Sequence, residues 1–165
     1  MKQIFCVVPL FIILVSELSA QVVLPAQKGQ TELRENVFGL GLAGGAASGV
    51  GLSFRHHLPT SWSYEITGGI IKVNEKISSA IGAELQYDLV RGGTSRFFAG
   101  GGVGYYYSGK SRGNELDGPA RLGLGVGGEF VATPGADITL EMFFTFFSDG
   151  TVLPLPQLGF HYYFY

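Results

Sequence analysis

The chain of 165 residues has room for one domain and a leader, and its formal net charge of −2 gives no basic footprint for nucleic acid. Charged residues make up 15% of it, well under the roughly 25% of ordinary soluble domains. Its 26 glycines argue against a helical bundle and its 13% aromatics against disorder, which leaves a β-rich protein.

Lys2 and an apolar run over 4–15 open the chain, and Leu18, Ser19 and Ala20 close that stretch with a small-residue cleavage site. The run is too short to span a bilayer, so residues 1–20 are expected to be a signal peptide with Gln21 as the mature start. An uncleaved anchor is the alternative. The single cysteine, Cys6, falls inside this leader. Cleavage would leave no disulfide and no cysteine-ligated metal. Residues 21–35 are polar, carry Pro25 and Gly29, and read as a periplasmic tail.

From residue 36 the pattern changes to a period of two. Connections at 44–48, 58–61, 74–76, 91–95, 108–119, 133–136 and 148–150 carry turn residues. They divide the remainder into eight predicted strands: 36–44, 48–57, 62–72, 79–90, 96–108, 119–131, 137–147 and 155–165. Most are near the roughly 9–11 residues that a tilted strand needs to cross hydrocarbon.

One face of these strands is apolar throughout. In the second strand Val50, Leu52 and Phe54 alternate with Gly51, Ser53 and Arg55. In the fourth, Ile81, Ala83, Leu85, Tyr87 and Leu89 alternate with Gly82, Glu84, Gln86 and Asp88. The sixth and seventh behave alike, with Glu129 and Glu141 on the glycine-rich side. A soluble barrel of the lipocalin kind would turn the apolar face inward and leave glycine over much of its surface. A membrane barrel turns the apolar face to lipid, and glycine then gives space in a narrow interior to Phe98, Tyr106 and Phe143. Trp62, Tyr64, Tyr87, Tyr105, Tyr107, Phe130 and Phe146 lie near strand ends, as interfacial girdles do. The fold expected is therefore all-β, an eight-stranded antiparallel up-and-down transmembrane β-barrel over 36–165.

A leader, eight alternating strands and the aromatic Tyr165 together resemble the small outer-membrane barrels of the OmpX, OmpA transmembrane-domain and opacity-protein type. The resemblance spans about 36–165 and is one of architecture, with no signature string. It implies the outer membrane of a Gram-negative bacterium, outer-membrane lipid around the barrel and both termini in the periplasm. It also implies recognition of the last strand by the barrel-assembly machinery, with Tyr165 at the terminal position and Tyr163 at the alternate one. His161 departs from the apolar residue usual at the next alternate position. The connection 108–119 would be the longest outer loop, through which a surface partner could be held, and the first outer connection is short.

Candidate chemistry lies on the glycine-rich face. A loop at 59–61 would set Arg55 opposite Glu65, and Glu84, Arg121, Glu129 and Glu141 share their parity. Such a network would plug the lumen, or else line a path for a small ligand or ion. Four glutamates against two arginines would require a protonated or wetted glutamate, or a bound cation. Adjacent His56 and His57 point to opposite faces and cannot readily share a metal, and they read as interfacial histidines at the periplasmic end. A lipid-modifying enzyme would need a nucleophile beside a base held by a carboxylate; His161 is the one mid-strand histidine, with no serine evident beside it. The run 100–104 lacks the spacing of a phosphate loop. Neither cofactor nor nucleic acid is expected, and the role anticipated is structural or interactive rather than enzymatic.

Overall fold

The computed structural model describes residues 36–110 and 113–164; the predicted leader 1–20, the tail 21–35 and Tyr165 lie outside the described residues. Eight strands follow one another: β1 (Val37–Gly45), β2 (Gly49–His57), β3 (Trp62–Val73), β4 (Lys76–Arg91), β5 (Ser95–Gly109), β6 (Ala120–Thr133), β7 (Ala136–Phe147) and β8 (Val152–Phe164). Each pairs antiparallel with the next, and β8 pairs with β1 to close the barrel. Closure leaves no free sheet edge along the paired length, which is what a strand surrounded by an apolar medium requires.

Two strands run further than their sequence pattern indicates. β4 begins at Lys76 because the preceding turn is only Asn74 and Glu75, with Val73 opposite Lys76. Asn74 takes a positive φ of 56°, a conformation asparagine tolerates. β8 begins at Val152, through Pro154 and Pro156, whereas proline argues against a central strand. Its pairing with β1 stops at Gly44 opposite Leu158, so the prolines fall where β8 is hydrogen-bonded on one side only.

Side chains divide by parity. Leu40, Leu42, Leu52, Ile66, Ile81, Leu122, Leu124, Leu140 and Phe144 face outward and are exposed. Arg55, Glu65, Glu84, Arg96, Glu129 and His161 face inward and are buried. Polar residues thus form most of the core and apolar residues form the surface.

Phe98 and Phe143 are fully enclosed, and Tyr106 is buried with them. Phe98 and Phe143 each lie over a glycine of the neighbouring strand β6. A Cβ on Gly125 would come within 2.5 Å of the Phe143 ring and one on Gly127 within 2.6 Å of the Phe98 ring. A narrow barrel holds few rings, and glycine sockets are what let these fit.

Candidate functional site in the lumen

The connections at 58–61, 92–94 and 134–135 lie at the end where β1 begins and β8 finishes; the other four connections lie at the far end. Two layers of inner side chains follow from this arrangement: a charged belt towards the near end, and a folded-in hairpin at the far end.

Arg55 is the hub of the belt. Register sets it opposite Glu65, to which its Nε donates at 2.8 Å and its Nη2 also donates. Its Nη1 donates to Glu129 Oε2 at 3.1 Å and to Thr139 Oγ1 at 2.6 Å, and its Nη2 lies 3.6 Å from Glu141 Oε1. Arg96 is a second hub: Nε donates to Glu129 Oε2 at 2.6 Å, while Nη1 donates to Ser63 Oγ at 2.9 Å and Asp88 Oδ1 at 2.6 Å. The Arg96 guanidinium also stands 4.5 Å from the centre of the Phe98 ring. Tyr163 OH donates to Glu129 Oε1 at 2.6 Å and lies 2.7 Å from His57 Nε2. Buried guanidinium groups of this kind persist only when their fork of donors is matched, and here the carboxylates match it.

Glu84 and Glu141 are joined to each other by amides, with Arg55 beside Glu141 as the nearer cation. Gln86 Nε2 donates to Glu84 at 2.7 Å and to Glu141 at 3.3 Å; Gln157 Nε2 donates to Glu141 at 2.9 Å and to Glu84 at 3.4 Å. The second arginine expected in this network, Arg121, is elsewhere. It stacks on Tyr106 (3.9 Å) and Phe147 (4.7 Å) and donates to the carbonyls of Gly118 and Ala46. Parity puts Arg121 inside, but it lies at the far end of β6, a strand's length from Glu129. The cation beside Glu129 is Arg96, which shares its parity with Phe98 and was legible on that ground.

The histidines also need correcting. His56 does face outward, stacked on Phe38 at 4.1 Å, but His57 is not interfacial: it is 2% exposed, inside the belt. His161 has a serine beside it after all, with Ser53 Oγ 2.8 Å from its Nε2. The reason is Gly41, which pairs with Ser53 on one side and His161 on the other. With no side chain between them, residues two strands apart meet. The pair lacks the geometry of a nucleophile–base–acid relay. The carboxylate of Glu65 lies 3.8 Å from the same Nε2, and among the described residues nothing partners the Nδ1 that an orienting acid would hold. Both residues are sealed from solvent.

On the last strand, Phe160, Tyr162 and Phe164 face outward and Tyr163 faces the lumen. The outward aromatic row is thus one residue out of step with Tyr163.

At the far end residues 46–48, between β1 and β2, fold into the lumen. Ala47 is wholly enclosed. Gln157 Oε1 accepts from Ala47 N (3.1 Å), Ser48 N (3.3 Å) and Ser48 Oγ (3.1 Å). Tyr106 OH donates to the Gly45 carbonyl and accepts from Gly49 N at 3.0 Å. The seat is glycine: a Cβ on Gly123 would meet the Ala47 methyl at 2.3 Å, and one on Gly82 would meet the Ser48 carbonyl at 2.4 Å.

Fold and lumen together define a closed, inside-out β-barrel with an ion-paired interior. No family model matches the chain, and no curated protein matches it. Among solved structures it is similar to the Yersinia pestis outer membrane protein Ail in a phospholipid bilayer nanodisc, at 14% identity and a TM-score of 0.43, over 78% of this chain and 97% of that one.

Proposed function

We propose that this chain is an exported, non-enzymatic barrel of a bacterial outer membrane, with a plugged lumen and a structural or surface-interaction role. The observation that carries the reading is the inversion of the two faces. Leu52 and Ile81 are 74% and 63% exposed while Arg55 and Glu129 are 1% and 0% exposed. In water an apolar band continuous around a barrel would drive association, whereas in hydrocarbon it is the expected surface. Trp62 packs on Tyr87 at 5.0 Å and Tyr162 on Phe164 at 5.5 Å on that band, an arrangement suited to headgroup level.

The plugged lumen is supported by Phe98, Phe143, the belt and the inserted residues 46–48, which occupy the interior in succession. A barrel of eight strands has room for little more than its own side chains, so transport of a small ligand or ion is the weaker reading. Against enzymatic chemistry stand the burial of Ser53 and His161 and the placing of Glu65 on the wrong side of the imidazole. The outer loops, of which 110–119 is the longest, are where a surface partner would be held. The outward aromatics of β8 are the face offered to the assembly machinery during insertion.

The test is fractionation of cells expressing the full chain, followed by gel mobility in detergent with and without boiling. An outer-membrane protein whose folded band shifts on heating is expected. A soluble periplasmic protein without a shift would overturn the proposal and favour a lipocalin-like barrel. Conductance in planar bilayers then separates the two lumen readings, a plugged barrel giving no steady channel.

A further inference from the structure

We propose that the β1–β2 tip is a hinged gate, closed in this structure, over a polar cup at the outer end of the lumen. The inference rests on the barrel spanning a membrane with its lumen plugged, and it concerns how the plug is held.

The wall is incomplete around the tip. β2 pairs with β3 only as far as Leu52 opposite Gly68, and β1 pairs with β8 only as far as Gly44 opposite Leu158. Residues 45–51 therefore form a hairpin paired with itself and with neither neighbouring strand. The chain leaves the wall at Gly51 and turns again at Gly49, where φ is +140° and +103°. Those are conformations that glycine alone adopts without strain, so the hinge is written into these two positions. Beyond it β3 continues through Val73 and β8 extends back to Val152, each with the edge that would face the hairpin unpaired. Continuing the existing registers sets Gly51 opposite Gly69, Gly49 opposite Ile71, and Gly45 opposite Gln157. The wall thus keeps two edges matched to the hairpin's open position. A largely apolar groove of about 910 Å³ marks the gap from outside, lined by Leu42, Val50, Leu52, Gly69, Ile71 and Leu116.

The tip is held in place mostly by hydrogen bonds. Ala47 supplies the one fully enclosed methyl, and the remaining fastenings are hydrogen bonds: Gln157 accepts from Ala47 and Ser48, Tyr106 accepts from Gly49 and donates to Gly45, and Arg121 donates to Ala46. These hydrogen bonds, all but that of Arg121 between neutral groups, are exchanged for bonds to water at little cost on release, whereas an apolar plug would forfeit its burial. The belt below does not depend on the tip, because the ion pairs of Arg55 and Arg96 close without it. Opening uncovers a cup floored by Gly82, Gly104 and Gly123 and edged by Gln157, Tyr106 and Arg121. Gln157 couples the two layers, since its oxygen holds the tip and its nitrogen bridges Glu84 and Glu141.

The experiment places a thiol on the tip by the near-isosteric change Ser48→Cys and follows reaction of the folded barrel with a membrane-impermeant maleimide. Ser48 is 4% exposed, so labelling reports opening. Glu75→Cys serves as the open reference and the unaltered chain as background. The gate predicts that Ser48→Cys labels to completion while the band keeps its folded mobility, more slowly than Glu75→Cys. Adding Gln157→Leu, or Tyr106→Phe should the first fail to fold, is expected to speed labelling about tenfold, the loss of two or three neutral hydrogen bonds. A thiol that stays unlabelled for a day in a folded barrel, or a rate indifferent to both latch changes, would overturn it. If Ser48→Cys does not fold, hydrogen exchange of the unaltered chain decides. Amides of Ala47 and Ser48 exchanging faster than those of 53–56 support the gate, and equal protection sinks it. Failure of the membrane reading shows separately, as the absence of any heat-shifted band.

Discussion

The two layers of the lumen solve one problem, filling a narrow polar interior, by opposite means. The near layer is built from charge: Arg55 and Arg96 draw together carboxylates from β3, β4, β6 and β7, and no member can leave without stranding another. The far layer is built mainly from neutral groups, with a backbone segment resting on glycine and held by an amide and a phenol, and one guanidinium bond, from Arg121, at its edge. Burial raises the stakes of the first far more than those of the second, because an unpaired ion in a low dielectric is much costlier than an unpaired amide. One layer therefore fixes the cylinder, and the other covers it.

The comparison breaks most sharply at Arg55. Arg55→Met should cost about 3–5 kcal/mol, because Glu65 and Glu141 lose their buried cation. The readout is the urea midpoint at which the heat-shifted band disappears. Changing Glu65→Leu as well should return part of that loss, since no charge is then left without its partner on the β2–β3 pair. A double variant as unstable as the single one would mean that the belt contributes packing and not ion pairing.

A smaller effect is expected where glycine serves a ring. Gly125→Ala would press its Cβ to 2.1 Å from the Met142 carbonyl and onto Phe143, both fixed by the β6–β7 ladder. Overpacking of this kind costs about 1–3 kcal/mol. Gly82→Ala meets the Ser48 carbonyl at 2.4 Å, a similar collision on paper. Its cost should stay below about 1 kcal/mol, because the tip can yield while a paired strand cannot. Equal urea midpoints for the two alanine variants would erase the distinction between a rigid belt and a movable cover.

Much of the barrel lies in local pattern. Alternation gave the strands to within a residue or two at most ends, and it separated the apolar outside from the polar inside. The loop at 58–61 sets Arg55 against Glu65 because a hairpin's length fixes its register. What local pattern lacks is depth and closure. Parity alone cannot separate Arg121 from Arg96, since both point inward and differ only in height along their strands. The contact between Ser53 and His161 needs β8 to pair with β1 and Gly41 to stand between, a relation across the whole chain. The folded-in tip is the clearest case. A short connection at 44–48 reads as a tight turn at the rim, and only the three-dimensional seat of Gly82, Gly104 and Gly123 shows where it goes. Those glycines look in sequence like room for rings, whereas Gly82 and Gly104 are room for the tip's backbone and Gly123 is room for the Ala47 methyl as well as the Phe143 ring.

The smallest effect expected concerns a carboxylate outside both layers. Asp149 sits in the exposed turn between β7 and β8, where its Oδ1 accepts from Thr151 N at 2.8 Å. That backbone bond, with a further one from the Thr151 side chain, holds its pKa below the usual aspartate value. A group whose folded pKa is depressed adds stability above its unfolded pKa and loses it as pH falls through the folded one. Asp149→Asn keeps the acceptor oxygen while removing the charge. The variant should match the parent at neutral pH to within the scatter of a surface substitution, and it should lack the parent's small additional loss at acid pH. Urea midpoints of the two across the acid range check this. A neutral-pH loss approaching that of Arg55→Met would mean that an exposed turn carboxylate matters as much as a buried one, and the separation of the molecule into a charged belt and a lightly held rim would fail.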